Sequence, residues 1–198
     1  MAPESIVPAF NLFLFQGDHD WKYRTLPKRN VFKAFQDNAI PYPRGLGAGG
    51  SSSVNSMIYL RGHKNDYDHW ESLGNTGWAY EDVLKYFIKA ENYLGSRYNK
   101  TASYHGFGGP LSVDDQRWKT PVADAFLQAG QQMGFPIIDP SGPESIGFAP
   151  IDLTSRNGRR ASTADAYLNP AAEARKNLHV LLKAYVTKVR KCPFLIYA

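Results

Sequence analysis

Cysteine is nearly absent: Cys192 is the single one in 198 residues. An internal disulfide framework and a cysteine-rich zinc site are therefore excluded. The five histidines show no HExxH or comparable ligand spacing, so no metal site is expected. No apolar stretch approaches the ~20 residues that a membrane-spanning helix needs. The longest, Ile6 to Phe15, is interrupted by Pro8 and Asn11, and Phe194 to Tyr197 is short. Glu4 stands where a signal peptide carries positive charge, so no signal peptide is read. The net charge is +5, yet no run reaches five like charges, and the basic residues are scattered. That pattern argues against a nucleic-acid-binding tail. Repeats, heptads and low-complexity linkers are missing too.

What is present suits a folded chain. Hydrophobic residues make up 43% and aromatics 14%, too many for compositional disorder and enough for the core of one domain. Residues 1–43 read as irregular, and Pro41-Tyr42-Pro43 imposes extended backbone. After a glycine run, Val54, Met57, Ile58 and Leu60 share much of a short helical face. Val83, Leu84, Phe87 and Ile88 predict a helix from about Tyr80 to Asn92, with Trp78 packing where it begins. Gly106 to Pro110 is a turn before a short strand at Leu111-Ser112-Val113. Thr120 as N-cap, Pro121 at the first helical position and Gly134 beyond the end delimit another helix. Its expected inside face is Val122, Phe126, Ala129 and Met133. A short helix begins at Ser162 and stops near Pro170. Alternating Val180, Leu182, Ala184 and Val186 predict a strand over His179 to Val189.

The glycine run, Arg44-Gly45-Leu46-Gly47-Ala48-Gly49-Gly50-Ser51-Ser52-Ser53, carries the chemical signal. Gly45, Gly47 and Gly50 match G-x-G-x-x-G, and Asp66 follows Gly45 by 21 residues. A dinucleotide-binding turn requires a buried strand directly before it, and Asn38 to Arg44, with two prolines, is no such strand. The surviving physical reading is a close-approach backbone with free N–H groups. A helix starting near Ser52 would favour an anion there, and Arg44 would add positive charge.

The stretch PYPRGLGAGGSSSVNSMIYLRGHKNDYDHW resembles the first signature region of the GMC (glucose-methanol-choline) oxidoreductases, a family of flavoenzymes. The resemblance continues in order through ESLGNTGWAYEDVLKYFIKAEN, HGFGGPLSV, NGRRASTADAYLNPA and NLHVLLKAYVTKV. DWKYRT, at Asp20 to Thr25, resembles a segment upstream of the signature in the glucose-dehydrogenase-like and choline-dehydrogenase-like branches. About residues 17 to 190 are covered. The resemblance implies an α/β fold (α+β in isolation): the central part of an FAD-binding domain with the start of a substrate-binding domain. It implies FAD as cofactor and oxidation of the CH–OH group of a small alcohol or sugar. Gly49, Gly50, Ser51 and Ser52 match the flavin-contacting turn. Asn55, Ser56, Met57 and Ile58 match the segment against the flavin ring. Val186 matches a position whose backbone contacts the adenine end of FAD. Some members attach FAD to a histidine where this chain has Val54, so the implied binding is non-covalent.

The chain departs from the family pattern at Leu46, usually Lys or Arg, and at Ala48, usually bulky and apolar. The family's ADP-binding turn and its catalytic histidine have no counterpart in these residues, so no catalytic residue is named. Surface or packing roles are expected for His19, His63, His69, His105 and His179. Asp20, Asp66 and Asp68 have nothing in the sequence to orient them as bases. The expected organisation is a partial oxidoreductase region over 1–190 and an unmatched tail over 191–198, as in a truncated product. The alternatives are a non-catalytic isoform acting as an interaction or decoy module, and a simple anion-binding α/β domain. Asn99-Lys100-Thr101 is a glycosylation sequon, usable if the parent protein is secreted.

Overall fold

The strand predicted at Leu111 forms the middle of the largest sheet in the computed structural model, which describes residues 3–189. The N-terminal region is less irregular than its sequence suggests. Two single-turn helices, α1 (Pro3–Ile6) and α2 (Asn11–Leu14), precede a short antiparallel pair. In that pair β1 (Tyr23–Arg24) meets β2 (Pro41–Tyr42), with Tyr23 opposite Tyr42. Asp20 organises the approach. Its carboxylate accepts the backbone N–H groups of Gln16 (2.8 Å), Lys22 (3.1 Å) and Arg44 (2.8 Å). It is thus a structural acceptor rather than a base.

Helix α3 (Lys64–Ser72) starts in a reciprocal cap. The His63 ring accepts from Asn65 N at 2.9 Å, and Asp66 Oδ2 accepts from His63 N at 3.0 Å. Helix α4 (Tyr80–Ala90) has Glu81 and Asp82 in its first turn and Lys89 in its last, matching the helix dipole. Its predicted apolar stripe faces α3. The Tyr67 ring stands edge-on to Phe87 at 5.5 Å, and Trp78 packs edge-on to Trp70 at 5.6 Å.

The chain leaves α4 two residues before Asn92 and enters β3 (Glu91–Tyr93). β3 runs parallel to β4 (Leu111–Asp115), and β4 runs antiparallel to β5 (Asp152–Leu153). The turn between β3 and β4 lies so close to the end of α4 that a Cβ on Gly106 would drive into the Ile88 carbonyl. Helix α5 (Pro121–Gln132) has Pro121 in its first turn, and Gly134 follows it with φ +87°. Thr120 caps it through its carbonyl, which accepts from Ala123 N at 3.0 Å, and not through its hydroxyl. Asn157 (φ +52°) and Gly158 (φ +72°) then turn a tight hairpin between β6 (Ser155–Arg156) and β7 (Arg159–Arg160). A π-helical turn, Ala164–Leu168, leads into α6 (Asn169–Ala174). The result is the mixed helix and strand content expected, in small sheets.

Four expectations need correction. Val54 to Leu60 is not helical: after the 3₁₀ turn Gly50–Ser53, Met57 adopts φ +62° and Ile58 pairs with Leu153 in an isolated antiparallel bridge. Val54 and Met57 are buried, while Ile58 and Leu60 face outward. The face of α5 predicted to be inside is exposed, with Val122 at 73%, Phe126 at 63% and Met133 at 72%. The helix buries Gly130 instead, because only a residue without a side chain lets the Phe148 ring approach. Pro170 does not stop the last helix. It sits in the first turn of α6, where its missing N–H breaks no ladder bond. Finally, His179 to Val189 forms no strand. No neighbouring strand is aligned with it among the described residues, and Val186 is 74% exposed. The tail 191–198 lies outside the described residues.

Candidate functional site

The glycine run folds as a tight loop capped by the 3₁₀ turn Gly50–Ser53, too short to supply the helix N-terminus that the sequence suggested near Ser52. Gly49 (φ +88°) and Gly50 (φ +54°) are both left-handed. A side chain on Gly49 would collide with the Ser53 hydroxyl and crowd Ser162 Oγ at 3.2 Å. Gly47 and Gly50 face open space, with nothing within 4 Å of a Cβ built on either. The loop is therefore pinned on one side and bare on the other.

The pinned side rests on the segment that opens the π-helical turn. Ser52 Oγ donates to Gly49 O at 2.6 Å and accepts from Thr163 N at 3.0 Å. Thr163 Oγ1 in turn donates to Gly49 O at 3.2 Å. Asp165 closes a reciprocal cap with Ser162 Oγ (2.8 Å) and Ser162 N (3.1 Å). Motifs more than 100 residues apart in sequence thus meet in the fold, and both belong to the ordered signature.

The remaining predicted residues continue from this loop. Asn55 Oδ1 accepts from Met57 N (3.0 Å) and from the Arg160 guanidinium (2.8 Å). This commits the oxygen of Asn55 to structure and leaves the exposed side chain with its amide nitrogen. Ser56 Oγ accepts from the Asn11 amide at 3.0 Å. Met57 is buried, and its carbonyl takes the N–H of Thr154 at 2.8 Å. Gly49 to Ile58 thus follow one another in the chain, with Asn55, Ser56 and Ile58 exposed and Met57 buried between them. Val186 lies apart on the extended segment, whose Tyr185 stands edge-on to Trp21 at 5.5 Å. No hydrogen bond joins Val186 to the loop among the described residues.

Arg44 does not serve as the cation of the loop. Its guanidinium stacks 3.9 Å over the Tyr42 ring and donates to Pro43 O. The positive charge beneath the loop is Arg160, 4% exposed, which donates to Ser52 O (3.1 Å), Asn55 Oδ1 and Ser5 O (2.7 Å). Sequence reasoning missed it, although the Arg-Arg pair within NGRRAST was the visible signal.

A second polar centre also escaped prediction. His105 is buried between Glu91 and Asp139, with Arg61 paired to Glu91 at 2.6 Å. The rings of Tyr93 and Tyr98 flank the imidazole at 4.2 and 5.6 Å. None of these groups contacts the glycine loop, so His105 is a packing histidine, as expected. His63 caps α3 and the His69 side chain lies on α3, so neither reaches the loop. No group of three or more His, Cys, Asp or Glu side chains is arranged to hold a metal ion among the described residues.

A family model described as GMC oxidoreductase matches residues 28–192. The chain belongs to the GMC oxidoreductase family. Among curated relatives, the glucose dehydrogenase (FAD, quinone) of Drosophila pseudoobscura pseudoobscura is 42% identical over 183 residues, 92% of this chain and 29% of the relative. The oxygen-dependent choline dehydrogenase of Brucella melitensis biotype 1 is 40% identical over 172 residues, 86% of this chain and 30% of the relative. Pyridoxine 4-oxidase from Mesorbium loti superposes with a TM-score of 0.80 at 33% identity, over 96% of this chain and 38% of that one. The GMC chain described here therefore spans about a third of the length of the curated relatives it matches. The glucose-dehydrogenase-like and choline-dehydrogenase-like resemblance read from the motifs agrees with these relatives.

Proposed function

We propose that this GMC chain is part of an FAD-dependent oxidoreductase that takes hydride from the CH–OH group of a small alcohol or sugar. Residues 1–190 then belong to the N-terminal region of that enzyme. The observation that supports this best is the glycine loop itself. It is held rigidly by Ser52, Thr163 and Arg160 on one side and opens a bare, left-handed backbone at Gly47 and Gly50 on the other. A planar ring needs such a surface to approach the main chain closely, so the residues present fit FAD.

FAD, when bound, supplies the hydride-accepting ring. The chain's own residues orient it. Gly49, Gly50, Ser51 and Ser52 hold the loop, Asn55 offers its free amide nitrogen, and Ser56 and Ile58 continue the face over the buried Met57. Val186 would meet the adenine end only if the extended segment is drawn onto the cofactor. Val54 is buried at 3% exposure and has no nucleophilic atom, which favours a non-covalent cofactor.

No histidine or carboxylate of the described residues is free and oriented at this face. The 198-residue chain mixed with FAD is accordingly expected to hold it weakly and not to bleach it with glucose or choline. A tight yellow complex that either alcohol reduces would overturn this reading of the site.

A further inference from the structure

The cleft between α1 and the β6–β7 hairpin holds about 320 Å³ and is lined by Ile6, Ser112, Arg156, Arg159, Arg160 and Asp165 among others. Three cations face it against a single carboxylate. That carboxylate, Asp165, is already engaged by the hydroxyl and N–H of Ser162.

The three arginines are left without counter-charge. None forms a salt bridge among the described residues. The hairpin register sets Arg156 directly opposite Arg159. Like charges facing each other across a strand pair are destabilising. Arg160 is buried, at 4% exposure, and all its partners are neutral. Its Nη2 has no partner, and neither has the buried hydroxyl of Ser5 beside it. A buried cation with an unspent donor is costly unless an anion completes it.

We propose that this cleft binds a phosphate group, held by the forks of Arg156, Arg159 and Arg160. Three guanidinium groups with one free buried donor match a phosphate oxyanion in charge. Burial strengthens each charge-assisted bond. The proposal does not depend on the flavin reading, because none of the residues from Gly49 to Ile58 lines the cleft.

The test is titration of the 198-residue chain with inorganic phosphate, by calorimetry and by thermal unfolding, against chloride at matched ionic strength. Saturable binding and a phosphate-specific rise in the unfolding midpoint are expected. The double variant R156Q/R159Q changes only exposed side chains and should weaken phosphate at least ~10-fold while keeping the unliganded midpoint at or above that of the parent. The buried R160M variant should abolish the response; should it fail to fold, the double variant still decides. Equal affinity in the double variant, or an equal effect from chloride, overturns the site. Competition distinguishes the source of the phosphate group. Displacement of phosphate by FAD assigns the cleft to a phosphate of the cofactor, and coexistence assigns it to free phosphate or a phosphorylated small molecule. A failure of FAD to bind at all, with phosphate still bound, would count against the flavin reading alone.

Discussion

The imidazole of His105 is held 2.9 Å from the carboxylate of Asp139, Nε2 to Oδ2, with both side chains buried. Its other nitrogen lies 3.1 Å from Glu91 Oε2. A ring with carboxylates at both nitrogens donates twice, which requires the imidazolium. Burial opposes that charge, but hydrogen bonds to Asp139 and Glu91 outweigh it and push His105 up to about 9.

Because the folded value is raised, the stabilisation is fully present below the ordinary histidine range and is lost as pH rises through about 9. Unfolding free energies from urea titrations at rising pH should therefore fall on the alkaline side, by up to about 3 kcal/mol in total. His105→Gln should abolish that slope and lower stability at neutral pH by about 3–5 kcal/mol, since it leaves Glu91 and Asp139 short of their partner. An unchanged alkaline slope in the variant would mean that another group titrates.

Gly130 gives a prediction in which helix propensity and packing disagree. An alanine in the middle of a helix normally stabilises by about 1 kcal/mol. Here the new Cβ would lie 2.6 Å from the Phe148 ring. Gly130→Ala should destabilise by about 1–3 kcal/mol in chemical denaturation. The double variant Gly130→Ala with Phe148→Leu should recover part of the loss if the collision is the cause.

Two adjacent glycines of the loop should respond differently. Gly50→Ala meets only the cost of a left-handed backbone, about 1–2 kcal/mol, because nothing lies within 4 Å of the new carbon. Gly49→Ala meets the same cost and also displaces the Ser53 hydroxyl and crowds Ser162. Thermal unfolding of the two variants should rank Gly49→Ala as the more damaging. Equal losses would show that the loop tolerates crowding against the Ser162–Ala164 segment.

The parts of the fold that were legible in the sequence are those fixed by local chemistry. The stripe of Val83, Leu84, Phe87 and Ile88 defines α4, and Pro121 with Gly134 brackets α5. The parts that were not legible depend on distant partners. Periodicity assigned Val122, Phe126 and Met133 to the interior, but a helical stripe does not say whether anything covers it. The helix buries Gly130 against Phe148 instead, with the exposed Phe126 ring touching only the same Phe148 ring at 5.2 Å among the aromatic contacts. Alternation over His179 to Val189 looked like a strand, yet a strand exists only where a neighbour supplies its ladder. Met57 with its left-handed backbone broke the helical reading of Val54 to Leu60, and a non-glycine residue gives no warning of that in one sequence.

The candidate site divides along the same line. The glycine loop was readable from its motif and from the order of the motifs after it. The cation beneath the loop was not. Arg44 is adjacent in sequence but stacks on Tyr42, while Arg160 arrives through the β6–β7 hairpin. The Arg61–Glu91–His105–Asp139 cluster was equally hidden, because its members are spread from residue 61 to residue 139.

The central claim is that the loop from Gly49 to Ile58 is a flavin-contacting surface. Its most direct test is titration of FAD into the chain and into Gly49→Ala, followed by flavin fluorescence and by circular dichroism in the flavin band. The account predicts weak, saturable binding to the parent chain and binding at least ~10-fold weaker in the variant at a temperature where both are folded. Absence of any saturable signal up to about 1 mM FAD, or identical affinity in the two proteins, would contradict it.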